Sequence, residues 1–374
     1  MEQILNNKID EYKEELLKSI IEVINIPSIK GEAKIDAPFG EDVRNALTRA
    51  LEIAENLGFR TKNLNNHIGY AQYGEGEDYI GILGHLDVVD VGEGWKFPPF
   101  SGHIENGKIY GRGVLDNKGP VISALYALYA IKESGLKINK PVRIIFGTDE
   151  ESGFKDIPYY LEKEKPPIMG FTPDCKYPVV YGERGRANVQ FEADYNDENY
   201  EKIIGEFFDF LNGYILSGKN NGDRLGIDFS DGEFGTMEMR NYNIGIKSSK
   251  LLFKLSLSYP AGVSIDEILK RIKSKLNKNI KLNLLVNYNP VKFDKDSFLV
   301  KSLQKAYEDI TDLDGTPVTT TGGTYAKIMP NIVPFGPSFP GQKGISHNPN
   351  EYMDISDIVL NGKIFAQAIY NLAK

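Results

Sequence analysis

The sequence predicts an α/β protein in which a domain with a central mixed sheet flanked by helices carries a small inserted α+β (ferredoxin-like) domain. Three observations lead there. Amphipathic helical stretches alternate with short apolar strands through residues 1–182, the pattern of a layered α/β domain. From about residue 186 the texture changes to strands and helices in similar number. After about residue 290 helix returns, followed by a Gly/Pro/Thr-rich run at 315–350. The boundaries expected are 1–185 for the first part of the main domain, 186–290 for the insert and 291–374 for the second part.

Each element has a local cause. Residues 8–25 set Ile9, Tyr12, Leu16, Ile20 and Val23 on one helical face, and Pro27 ends the run. A second helix at 41–57 carries Val43, Ala46, Leu47, Ala50, Ala54 and Leu57 at the same spacing, with Gly58 as its stop. Strands are expected at 79–84 and 142–147, and the hairpin SGHIENGKIYGRG between them turns at Asn106-Gly107. An apolar helix at 120–133 closes at Gly135. In the insert, 186–193, 251–257 and 280–288 read as strands, and 198–217 and 264–277 as helices. Residues 296–310 return to helix, while the long loop run at 315–350 marks a functional segment.

The totals narrow the possible functions. The chain has 374 residues, 41% hydrophobic and 26% charged, which suits a sizeable core in two domains. A net charge of -8 without a basic cluster argues against nucleic acid as a partner. The Lys-rich stretch 270–281 fits a solvated helix face. Cys175 is the sole cysteine, so disulfides within the chain are impossible and thiolate metal sites are not expected. The mixed-charge, amphipathic N-terminus resembles neither a signal peptide nor a membrane span, and a cytoplasmic location is expected.

Any bound metal must therefore use His, Asp and Glu, and these gather in a few motifs. In GHLDVVD (84–90), His85 and Asp87 project to one side of an extended strand. That pairing suits a metal-bound imidazole oriented by a carboxylate, although the motif alone is a weak signal. Asp116, in YGRGVLDNKGP, lies just before the apolar helix, so a helix cap and a metal ligand are both open readings. In IIFGTDEESG (144–153) a buried strand runs into Glu150 and Glu151. Adjacent carboxylates there would be driven toward protonation unless a cation lay nearby. FTPD adds Asp174 and GISHNPNE adds His347, whereas His67 and His103 lack such surroundings and read as ordinary packing residues.

GHLDVVD, GWKFPPFSG, YGRGVLDNKGP, GTDEESG, FTPD, GERG, GGTYAKIMPN and SHNPNE occur in this order. Together they resemble the co-catalytic dinuclear zinc metallopeptidase family of aminoacylases, glutamate carboxypeptidases, succinyl-diaminopimelate desuccinylases and carnosinase-like dipeptidases. The bacterial PepV-type dipeptidase branch is the nearest in pattern. The resemblance spans nearly all of 1–185 and 290–374. It implies a zinc-peptidase-like catalytic domain with two divalent metal ions per chain, zinc first, with manganese or cobalt as alternatives. It assigns Asp116 to the bridge, His85 and Asp174 to one ion, and Glu151 and His347 to the other. It also implies that Glu150 is the general base and that Asp87 orients His85. The insert is then a lid or a dimerisation surface, in a monomer or homodimer.

The sequence departs from that family at three points. Asn117 stands where relatives often carry a second aspartate. No histidine occurs between His103 and His347, so the insert lacks the family's oxyanion-binding histidine. Loss of one such donor typically slows catalysis by about 10²–10³. Ser258 occupies the place of the arginine that grips the substrate carboxylate, with Arg184, Arg186, Arg224, Arg240 and Lys327 as possible replacements. Three functions stay open: a metal-dependent dipeptidase, an N-acyl-amino-acid amidohydrolase or desuccinylase, and a metal-binding member with weak or no catalysis. The first two take a small peptide or an N-acyl amino acid as substrate.

Overall fold

The computed structural model describes residues 2–374. They form two compact units, one of residues 2–181, 293–318 and 324–374, the other of residues 182–292 and 319–323. The short segment at 319–323 joins the second unit through hydrogen bonds the sequence does not announce. The Arg184 N–H donates to the Thr320 carbonyl at 3.2 Å, and the Thr319 hydroxyl to the Glu233 carbonyl at 2.8 Å.

The larger unit is built on a six-stranded mixed sheet in the order Arg60–Leu64, Ile68–Tyr73, Val142–Gly147, Ile80–His85, Met169–Thr172 and Ile332–Pro334. The first two strands run antiparallel to their neighbours, and the remaining contacts are parallel. Val142–Gly147 and Ile80–His85 are buried at every position, which explains why both read as uninterrupted apolar runs rather than alternating ones. Helix Lys118–Ser134 lies against these strands on one side and against helix Ile355–Ala373 on another. Enclosure on both sides accounts for its apolar composition around most of its circumference. One continuous apolar core fills this unit.

Several details differ from expectation. The stretch 8–25 is two helices, Glu2–Glu11 and Lys13–Ile24, because Tyr12 leaves helical geometry and its ring packs on Tyr129. The hairpin turn is as expected, with Asn106 and Gly107 both at positive φ. The C-terminal helix Ile355–Ala373, the edge strand Arg60–Leu64 with its neighbour Ile68–Tyr73, and helix Asp156–Lys163 had not been anticipated. The loop-rich run at 315–350 supplies a strand of the central sheet, Ile332–Pro334, paired in parallel with Gly170–Thr172. Among the described residues no helix is long and apolar enough to cross a membrane.

The smaller unit has the order strand–helix–strand–strand–helix–strand: Gly185–Asp194, Tyr200–Leu211, Glu238–Lys247, Lys250–Tyr259, Ile265–Lys273 and Lys281–Tyr288. Its four strands form an antiparallel sheet in which Lys250–Tyr259 and Gly185–Asp194 are central. That is the ferredoxin-like arrangement. Alternate residues of Gly185–Asp194 are buried. Ala187, Val189 and Phe191 pack with Phe207, Phe210, Ile268 and Ile272 of the helices in a second core. Residues between them, Arg186, Asn188 and Gln190, face the other way. The helix expected to reach residue 217 turns to a wider π coil at Asn212–Leu216.

Because the two cores are separate, damage to one should stay local. Phe191→Ala should destabilise the smaller unit by about 3–5 kcal/mol. Hydrogen exchange should then accelerate in strand Gly185–Asp194 and remain unchanged in strand Ile80–His85.

Candidate metal centre

Three parallel strands of the central sheet end side by side, and each delivers a polar group at its carboxyl end. His85 is the last residue of Ile80–His85, and Glu150 and Glu151 follow Val142–Gly147 by three and four residues. Asp174 follows Met169–Thr172 by two. Ligands in open α/β sheets gather at this edge. Asp116 arrives from the turn before helix Lys118–Ser134, and His347 from the Gly/Pro-rich loop, at φ 61°.

Asp116 stands between the two imidazoles. Its Oδ1 lies 3.0 Å from His85 Nε2, and its Oδ2 lies 3.1 Å from His347 Nε2. Asp174 flanks His85 at 3.7 Å, and Glu151 flanks His347 at 2.9 Å. Ligand atoms of His85, Glu150 and Asp174 form one close group, and those of His85, Asp116 and Glu151 another. All five expected ligands and Glu150 thus converge, whereas His67 stacks on Tyr159 and His103 on Phe97 away from the cluster.

Burial raises the proton affinity of Glu150 well above the usual carboxylate range, and the charge of Asp174 adds to it. Asp174 is pushed up to about 7, by burial and then by the Asp116 charge. Glu151 is also raised by burial, against the hydrogen bond from His347. Burial alone would raise Asp116 too, but hydrogen bonds from His347 and His85 outweigh it and hold its carboxyl low. His347, hydrogen-bonded to Asp116 and Glu151, is pushed up to about 10. Four carboxylates thus share two imidazoles, a cluster short of positive charge. The donor set is carboxylate and imidazole only, with Asp116 offering one oxygen to each half. Such a set fits two divalent ions held as His85–Asp174 and His347–Glu151 halves.

The backing of the cluster shows why the local sequence folds this way. The Asp87 carboxylate accepts the backbone N–H groups of Glu150 and Glu151 at 3.2 and 3.1 Å. It therefore fixes the two-glutamate turn. The expected imidazole contact is made by the Asp87 carbonyl instead, 2.9 Å from His85 Nδ1, with the carboxylate at 3.5 Å. Asn117 Oδ1 accepts the His85 N–H at 3.2 Å, and its amide donates to the Pro173 carbonyl at 2.5 Å. An aspartate could not make both bonds, so the asparagine suits this chain. Gly84 is required here, because a Cβ would stand 2.4 Å from Asn117 Oδ1.

Four supporting residues escaped the sequence reading. Glu351 is fully buried, and its Oε1 accepts the N–H groups of Gly113, Leu115 and Asp116 at 2.9–3.1 Å. Buried Arg112 donates to Glu351 at 2.7 Å and to the carbonyls of Asn348, Asp90 and Val91. Asp156 accepts the Thr148 N–H at 2.7 Å and the Tyr325 hydroxyl, and holds the start of the glutamate loop. Tyr325 leaves no room for a side chain at residue 147, where glycine stands. Glu351 ends SHNPNE and Arg112 sits in YGRG. Their place in those motifs was the available signal.

Beside Asp116 and Asp174 opens a pocket of about 100 Å³ walled by Leu115, Cys175, Pro337, Ser338 and Ser346. It has room for one small group.

Comparison with known proteins now gives the class. Residues 81–371 match the model of Peptidase family M20/M25/M40. The chain belongs to this family and is a metallohydrolase. It is 31% identical to the "Putative dipeptidase YtjP" of Bacillus subtilis (strain 168), covering 97% of this chain and 98% of the relative. It is 28% identical to the Beta-Ala-Xaa dipeptidase of Lactobacillus delbrueckii subsp. lactis, over 97% of each chain. In fold it is similar to human carnosine dipeptidase 1, with a TM-score of 0.76 at 15% identity, covering 99% of this chain and 98% of that one.

Replacing Arg112 by methionine would strand Glu351 as a buried, unpaired carboxylate. The expected loss of stability is about 3–5 kcal/mol, seen as a lower denaturant midpoint. Arg112→Lys should recover only part of it, since one ammonium cannot span Glu351 and three carbonyls.

Proposed function

We propose that the protein is a zinc-dependent dipeptidase, with His85, Asp116 and Asp174 on one ion and Asp116, Glu151 and His347 on the other. The observation that carries this reading is the division of Asp116 between two half-sites, each completed by one imidazole and one further carboxylate. The dipeptidase names of the relatives support the substrate class. Manganese or cobalt would suit the same donors. When bound, such a pair of ions acidifies a water molecule and polarises a carbonyl oxygen.

Glu150 is the group left to move protons. Its carboxylate lies in the cluster with His85 and Asp174, and no arginine or lysine among the described residues forms an ion pair with it. One Oε takes the proton of the attacking water, and the same oxygen returns it to the leaving amine nitrogen. The backbone bonds from Asp87 hold the Glu150–Glu151 turn, so Glu151 faces His347 while Glu150 keeps its separate position. The small pocket beside Asp116 suits a short side chain or backbone group of a small substrate.

Two measurements test this. Protein stripped and reloaded with zinc should hold about two ions per chain by elemental analysis, and Asp116→Ala should drop the count below about one. Offered dipeptides and N-acyl amino acids, the loaded enzyme should hydrolyse dipeptides. Glu150→Gln should keep the metal yet lose about 10²–10⁴ in kcat. Turnover confined to N-acyl amino acids would replace the dipeptidase reading with an amidohydrolase one.

A further inference from the structure

In the larger unit the segment 26–30, which follows helix Lys13–Ile24, touches three parts of the scaffold around the carboxylate cluster. The Ile26 carbonyl accepts Lys118 Nζ at 2.6 Å, in the first turn of the helix that follows Asp116. The buried Ser28 hydroxyl donates to the Leu86 carbonyl at 2.5 Å, and the Val88 N–H donates to the Ser28 carbonyl at 3.1 Å. Ile29 and Val88 form a parallel bridge. Residues 28 and 29 thus run as an added strand beside 86–88, the stretch that carries Asp87. Lys30 then reaches Asp149, with Nζ 2.5 Å from Oδ1.

Asp149 precedes Glu150 in the chain and is fully buried. Its Oδ2 accepts the Lys155 N–H at 3.0 Å, and its carbonyl accepts the Phe154 N–H at 2.7 Å. The turn 149–155 is therefore closed by Asp149 at its far end, while Asp87 holds the Glu150 and Glu151 N–H groups at its near end. A buried carboxylate one residue from a cluster already short of positive charge needs a cation of its own. Lys30 supplies that charge from outside the cluster. A third of its side chain is exposed, so the ammonium stays partly hydrated while Asp149 is sealed from water. The ammonium also lies 5.3 Å from the centre of the Phe39 ring. A closed loop brings Phe39 there. The Gly31 N–H donates to the Phe39 carbonyl at 2.9 Å, and a Cβ on Gly40, at φ 108°, would stand 2.6 Å from the Gly31 nitrogen.

We propose that Lys30 is a positioning residue for Glu150. Its ion pair with Asp149 lets that buried carboxylate close the 149–155 turn, and the closed turn fixes where the Glu150 carboxylate stands. The kinetic consequence rests on the dipeptidase reading, whereas the anchoring of the turn rests on these contacts alone. Lys30 acts through Asp149, so its effect disappears when the Asp149 charge is removed.

The test uses the full, zinc-loaded chain with Lys30→Met, Lys30→Arg and Asp149→Asn, and with Lys30→Met and Asp149→Asn combined. A catalytic group displaced by about 1 Å can lose about 10²-fold in rate. Lys30→Met should therefore lower kcat for a dipeptide about 10-fold or more, with KM within about 2-fold and the zinc content unchanged. Lys30→Arg should recover most of the loss, because a guanidinium can also pair with the Asp149 carboxylate. In the Asp149→Asn background, Lys30→Met should change kcat by less than about 2-fold. A loss that persists in that background, or one matched by an equal rise in KM, overturns the proposal. Hydrogen exchange gives a second readout that needs no turnover. In Lys30→Met the Phe154 and Lys155 amides should exchange about 10-fold faster, with strand Ile80–His85 unchanged. Protection equal to the wild type at those two amides also overturns the proposal. A wild-type chain without peptide turnover would sink the dipeptidase reading, while the exchange still decides the anchoring of the turn.

Discussion

Crowding of carboxylates around Asp116 is the constraint on which the rest of the larger unit depends. Asp116, Glu150, Glu151 and Asp174 converge, and among the described residues His85 and His347 are the groups that oppose them. Left to itself such a cluster would spread apart or take up protons. It is held together by backbone bonds made outside it. Asp87 secures the glutamate turn, Asn117 ties His85 to the loop of Asp174, and Glu351 gathers the amides leading into Asp116. Each of these anchors is itself polar and buried, so each needs its own partners. The strand ends and the helix start together make a scaffold for charges that repel.

The smaller unit solves a simpler problem. Its sheet gives one face to a core of Val189, Phe191, Phe207 and Phe253, and leaves the other to polar side chains. Repulsion there is relieved by Glu238, which Arg184 and Arg240 share. The two units thus carry opposite local charge, an anionic cluster in one and two arginines about a single carboxylate in the other.

Much of this was legible in the sequence, and what was missed has physical causes. Strands Ile80–His85 and Val142–Gly147 were readable because burial on both faces leaves only apolar residues. The residues that converge in the cluster were readable because histidines are few and the acidic residues sit in glycine-flanked turns. Helix Ile355–Ala373 escaped because it is buried around much of its surface and so lacks a clear polar stripe. The strand Ile332–Pro334 is too short for periodicity to declare it. Partnerships such as Arg112 with Glu351 link residues far apart in sequence, and no local pattern marks them. Asn117 was legible only as a departure. Its fit appears when the His85 amide and the Pro173 carbonyl are seen on either side of it.

Glu351 binds the turn that delivers Asp116 with one oxygen, and through Arg112 it is tied to the Asn348 carbonyl beside His347. The turn into Asp116 and the loop beside His347 are therefore pinned to a single side chain. Loss of that one side chain would release two segments of the cluster at once.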